Sequence, residues 1–169
     1  MIIRIAKSED IAPIMQLIKA VVPLMRAVGN FQWDDSYPNA GVFAADIKSG
    51  QLWVAEIENQ VAGVTAITTD QQTEYANVGM DITQTAIVTH RLAVNVNFRG
   101  KGIAEVLLKQ AEVVAKEKGI SILRIDTNSN NKATRQLFPK LGYEFMGEIS
   151  LHFRPNLRFY CYEKLLSDI

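Results

Sequence analysis

The chain has 169 residues, 48% of them apolar, and its 18 Lys and Arg balance 18 Asp and Glu. That is one domain with enough apolar material for a sizeable core, and zero net charge argues against a nucleic-acid-binding protein. A single cysteine excludes an internal disulfide and fits a reducing cytoplasm, two histidines are too few for a convincing zinc site, and no apolar run spans a membrane.

Ile2 to Ile5 reads as a first strand. Ser8 suits a helix N-cap, with Glu9 and Asp10 in the first turn. Ile11, Ile14, Met15, Ile18, Val21 and Val22 then recur at helical spacing, and Pro23 is expected to kink or split that helix before Gly29 and Asn30 end it. No signal peptide is expected, because a charged leader and a cleavage site are both missing. Residues 31–39, FQWDDSYPN, concentrate aromatic and acidic side chains in a connection. Phe31, Trp33, Asp34 and Tyr37 are therefore candidate substrate contacts, although aromatic residues there also suit anchoring the loop to the core.

Val42 to Lys48 reads as a short helix. Leu52 to Ile57 and Val61 to Ile67 form an expected hairpin. Residues 70–85 are a polar excursion, and Ala86 to Val96 returns as a central strand. A helix over Gly102 to Lys118 ends in Lys116, Lys118 and Gly119, in the order a helix C-terminus favours. A strand from Ile122 to Asp126, a helix from Lys132 to Leu141 and two closing strands follow, the last two joined by a loop around Pro155 and Asn156. The order is βααβββαβαββ, an α/β domain with a mixed sheet. Cys161, in the apolar run Phe159 to Tyr162, reads as a buried structural thiol.

The segment from His90 to Ala104, HRLAVNVNFRGKGIA, organises the rest. A strand feeds a helix through glycines, and the first amides of that helix have no partner within it. With the helix dipole and the charges of Arg99 and Lys101, this suits a phosphate. The spacing is neither that of a Walker loop nor of the dinucleotide fingerprint. The two halves of the chain also differ in charge. Residues 1–85 hold 5 Lys and Arg against 10 Asp and Glu, and residues 86–169 hold 13 against 8. The basic half carries the phosphate turn, and the acidic half suits a cationic amine.

Arg99, Gly102 and Ala104 match Arg-x-x-Gly-x-Ala after a strand, which resembles motif A of the GNAT superfamily of acyl-CoA-dependent N-acetyltransferases. Asn131, Ala133, Leu137, Phe138, Gly142 and Tyr143 resemble motif B of the same family. The resemblance covers the whole chain. It implies the GNAT fold in one domain over 1–169, with helices flanking a mixed central sheet whose central strands splay, and acetyl-CoA as acyl donor. It further implies direct transfer to a primary amine in a ternary complex. The aromatic loop favours a small-molecule amine. A protein or peptide acceptor, or a non-catalytic acyl-CoA-binding module, is the alternative. A homodimer is a possible assembly, and neither nucleic acid, membrane nor metal is an expected partner.

By the same resemblance, the backbone of Leu92, Ala93 and Val94 would hold the pantetheine arm. Arg99, Gly100, Lys101, Gly102, Ile103 and Ala104 would hold the pyrophosphate, and an amide near Val94 the developing oxyanion. Asn131 would touch the cofactor, with an N-cap role open beside it. Phe138 departs from the family, which often has a Tyr there to protonate the leaving thiolate. Tyr162, Tyr143 or water is then left as the acid. His90 is the preferred base, because its ordinary pKa of about 6.5 is close to neutrality and a two-residue period puts it on one face with Leu92 and Val94. Asp34, Asp35, Glu74 and Asp81 are weaker candidates, and His152 reads as surface.

Overall fold

The computed structural model describes residues 1–167. Seven strands form one sheet: β1 (Ile2–Ile5), β2 (Leu52–Ile57), β3 (Gln60–Thr68), β4 (Ile87–Val94), β5 (Ile122–Asn128), β6 (Glu144–Leu151) and β7 (Arg154–Leu165). Their order is β1-β2-β3-β4-β5-β7-β6, and only β4 and β5 run parallel. A parallel neighbour needs a crossover, and α3 (Ile103–Glu117) supplies it. The other helices are α1 (Ile11–Ala27), α2 (Ala40–Lys48) and α4 (Lys132–Lys140). This is the GNAT architecture expected from the sequence.

Helices α1 and α2 cover one face, where Ile14, Leu17, Ile18 and Phe43 pack on Leu52, Val54 and Ala93. Helix α3 covers the other face, with Ile103 and Leu107 against Ala55, Ala62 and Leu92. Its approach is close because residue 63 is glycine. A Cβ there would lie 2.6 Å from Ile103 Cγ2 and 3.1 Å from Leu107 Cδ1. The missing side chain thus seats the start of α3 directly on β3. The polar excursion after β3 holds a 3-10 turn, Thr73–Val78. Its Tyr75 closes a third apolar cluster with Val88, Phe159 and Cys161.

Four local expectations are corrected. Helix α1 is continuous through Pro23. The carbonyl that Pro23 leaves without a donor is that of exposed Lys19, where water can take it, while buried Val21 and Val22 hold the helix to the core. Ser8 is not the cap. It lies in a 3-10 turn, and α1 starts only at Ile11, after Asp10 has accepted the Lys7 N–H at 2.7 Å. The last two strands turn at His152 and Phe153, not around Pro155, since Leu151 already pairs with Arg154. Pro155 is tolerated inside β7 because pairing with β5 begins only at Phe159.

The fourth correction concerns His90. Ala66 pairs with His90 and Val64 with Ala93, so two residues of β4, Arg91 and Leu92, face one residue of β3. Arg91 takes a left-handed φ of 54° in this bulge. The two-residue period breaks there. Leu92 and Val94 pack toward α3. Val88 packs with Tyr75 on the opposite side of the sheet, and His90 follows Val88, not Leu92.

Candidate active site

Strands β4 and β5 are paired only at Ile87 with Leu123 and at Val88 with Arg124. Beyond that they part. The Asn95 N–H donates to the Ala62 carbonyl at 2.8 Å, so alternation along the strand leaves the N–H and C=O of Leu92 and Val94 facing the gap. Ala93 faces β3 instead. A free strand edge of this kind accepts another extended amide chain as an added strand.

The turn into α3 closes one end of the gap. Gly100 and Gly102 have φ of 76° and 72°, and a Cβ on either would meet nothing within 4 Å. The α3 N-terminus begins at Gly102 with no side-chain cap, which leaves its first amides open. Lys101 stands outside with Nζ 5.4 Å from the Phe98 ring centroid. The Ile103 side chain is buried in the core, so only its backbone and that of Ala104 can meet a ligand. Asn131 caps α4 by accepting the Thr134 N–H at 3.3 Å.

A cavity of about 660 Å³ occupies the gap and continues through to the α1 face of the sheet. Arg99, Leu92, Asn131 and Phe138 line it, as do His90, Trp33 and Tyr37. Phe31 and Asp34 are not in its wall. Phe31 is about half exposed beneath the Arg26 guanidinium, 4.8 Å from it. Asp34 accepts from the Ser36 and Tyr37 amides of its own turn. Tyr162 is also elsewhere. Its ring meets Phe138 edge-on at 5.2 Å and lines a separate hollow with Arg135, Phe145 and Tyr160. Tyr143 is buried with its hydroxyl unpartnered among the described residues, and it too lies outside the main cavity wall.

The Acetyltransferase (GNAT) family profile matches residues 17–143, three quarters of the chain. This chain belongs to the GNAT family of acetyltransferases. One relative, an uncharacterized N-acetyltransferase, YesJ of Bacillus subtilis, is 25% identical over 142 residues, 82% of this chain and 79% of its own. A GNAT-family acetyltransferase structure from Streptococcus agalactiae is 26% identical with a TM-score of 0.84, covering 99% of this chain and 96% of that one. The structure of yncA from Salmonella typhimurium with its cofactor acetyl-CoA shares the fold at 18% identity and a TM-score of 0.73, over 100% of this chain and 95% of that one.

Acetyl-CoA binding is typical of the GNAT fold, and the residues present here suit it. The uncapped α3 amides and the open glycine turn form an anion cradle, and the unpaired edge of β4 leads away from it into the cavity. Beyond the cradle, the polar groups lining the cavity come from several elements. His90 Nε2 lies 3.0 Å from the Asp70 carbonyl oxygen. A carbonyl only accepts, so Nε2 carries the hydrogen and the neutral ring keeps its free lone pair on Nδ1. Burial pushes the His90 pKa down, partly offset by the Asp126 carboxylate and reinforced by the Arg91 charge.

Asp126 is the residue that sequence reasoning passed over. It lines the same cavity, and its Oδ2 accepts the Tyr75 hydroxyl at 2.5 Å. Burial raises its pKa, opposed by that hydrogen bond and by His90. An acid within a largely apolar strand, Ile122-Leu-Arg-Ile-Asp, was the available signal. Glu74, one of the weaker candidates, is taken up by His152. It accepts that residue's amide at 3.0 Å and faces its Nδ1 at 2.8 Å. These bonds bring its pKa to about 2 against the opposing effect of burial. Asp81 accepts the Thr83 amide and hydroxyl in its own loop.

Proposed function

We propose that this protein is an N-acetyltransferase that moves the acetyl group of acetyl-CoA to a primary amine of a small molecule, by direct attack in a ternary complex. The observation that carries this reading is one continuous cavity, walled by Arg99 and Asn131 toward the anion cradle and by His90 and Asp126 beyond the gap. Bound acetyl-CoA supplies a thioester carbonyl for an amine to attack. The chain's own groups would hold the phosphates at Gly100 to Ala104 and the amide arm along the free backbone groups of Leu92 and Val94.

An alkylamine with a pKa of about 10 is protonated at neutral pH and must lose a proton to attack. Neutral His90, with a lowered pKa and an open Nδ1, accepts that proton, and the Asp126 carboxylate beside it steadies the imidazolium. Trp33, Tyr37 and Phe153 all line the cavity, and this aromatic lining suits a small amine more than an extended peptide. No tyrosine hydroxyl stands at Phe138, and a thiolate with a pKa of about 8.5 leaves without a strong acid.

Thiol release from acetyl-CoA, measured against a panel of small primary amines and a panel of peptides, tests this reading. Turnover of small amines, with the acetylated product found by mass, supports it. Turnover of peptides alone assigns a protein acceptor. Tight coenzyme A binding with no turnover by either panel assigns a binding module.

A further inference from the structure

Three arginines line the cavity: Arg91, Arg99 and Arg154. Arg91 is neutralised by Asp46, with Nε to Oδ2 at 2.8 Å and Nη2 to Oδ1 at 2.7 Å, and its Nη1 donates to the Tyr37 hydroxyl at 3.2 Å. Arg99 belongs to the glycine turn. Arg154 is left. It opens β7 directly after the His152–Phe153 turn, and its side chain is 30% exposed. Its one ionic contact among the described residues is to Asp34 Oδ2 at 3.8 Å, beyond hydrogen-bond reach. Asp34 spends its other oxygen on Ser36 and Tyr37.

The acceptor end of the cavity therefore combines two opposite demands. His90 and Asp126 suit an amine that arrives protonated. In the wall of the same cavity, the Arg154 guanidinium presents donors that find no hydrogen-bond acceptor among the described residues. A planar fork of this kind pairs with a carboxylate through two parallel hydrogen bonds. Water solvates a lone guanidinium well enough, so the cation alone decides nothing. Its place in the wall of the cavity that holds His90 and Asp126 does.

We propose that Arg154 is the specificity residue for the acceptor, and that this acceptor is a primary amine that also carries a carboxylate, an amino acid or a close analogue. The proposal rests on the acetyltransferase reading above. Asp34 competes weakly for the guanidinium in the free protein and gives way to the substrate carboxylate.

Thiol release is measured with the L-amino acids and, in parallel, with their α-carboxamides and the matching decarboxylated amines. The wild-type protein is expected to prefer one or more of the acids over the neutral partner. Arg154→Ala is expected to raise KM for the acid by about 30-fold, with kcat little changed and the amide unaffected. Arg154→Lys recovers part of the loss, and Asp34→Asn lowers KM for the acid while keeping the oxygen that accepts from Ser36 and Tyr37. Retained coenzyme A binding by each variant shows that it is folded. Neutral amines accepted as well as or better than the acids, or an equal loss for acid and amide in Arg154→Ala, overturn the carboxylate proposal and leave the acetyltransferase standing. Turnover of no amine in any series overturns both.

Discussion

Arg91 forks onto Asp46, and the same Arg91 holds the left-handed backbone turn of the β4 bulge. The pair ties α2 to the central strand at the point where the chain changes face. Its geometry is bidentate, and both side chains are largely buried, at 15% and 10% exposure. Breaking a pair of this kind by removing one partner leaves an unpaired charge inside the protein. Asp46→Ala should cost about 3 kcal/mol in chemical denaturation. It should also lower kcat/KM, because the bulge that presents His90 loses its clamp. A variant that unfolds at the wild-type midpoint would show the clamp to be dispensable.

His90 sets the expected pH dependence. Its pKa is lowered by burial, so the ring is neutral at neutral pH and gains its proton only below its ordinary value. The rate should therefore fall toward acid with an inflection below about 6.5, and should rise above neutrality as the amine itself deprotonates. His90→Gln should remove the acid inflection and lower kcat by about 100-fold. Asp126→Asn should keep the inflection but shift it further toward acid, since the imidazolium loses its counter-charge. A pH–rate profile unchanged by His90→Gln would take His90 out of the mechanism.

Gly102→Asp tests the anion cradle. A carboxylate at the first open amides of α3 opposes a diphosphate, and the position has the positive φ that side chains resist. Strain should cost only about 1 to 2 kcal/mol, leaving the domain folded. Thermal stabilisation by coenzyme A, expected of the wild type, should vanish. A Gly102→Asp protein that coenzyme A still stabilises would place the phosphates elsewhere.

Asp10 provides a stability test away from the site. Its carboxylate receives Arg4 Nη1 at 2.8 Å and Nη2 at 2.9 Å, while Arg4 Nε reaches Glu56 at 2.8 Å. The Arg4 hydrogen bonds, opposed by burial, hold the Asp10 pKa below the ordinary carboxylate value. As pH falls, the unfolded chain takes up this proton first, near about 3.9, and the folded protein only later. The contribution is present above that range and is lost as pH falls through the folded value. Asp10→Asn should cost about 1 to 2 kcal/mol at pH 7, and its curve should converge on the wild type in acid. A gap that persists undiminished at low pH would mean that packing, not charge, carries the effect.

The glycine turn, the helix behind it and the order of strands and helices were legible in the chain because each follows from neighbours a few residues apart. Arg99, Gly102 and Ala104 sit on one local turn, and Asn131 caps its own helix. What the sequence did not disclose depends on partners far along the chain. The face of His90 is set by a bulge that exists only because β4 registers against β3. Asp126, in the cavity wall, is held by the hydroxyl of Tyr75, 51 residues away, and Arg154 approaches Asp34 only because the β6–β7 turn meets the loop after α1. By itself the sequence determined the glycine turn ahead of α3 and the succession of elements, since short-range spacing encodes both. Only the tertiary structure decided which acids, bases and cations share the cavity, because sheet order and register bring those residues together.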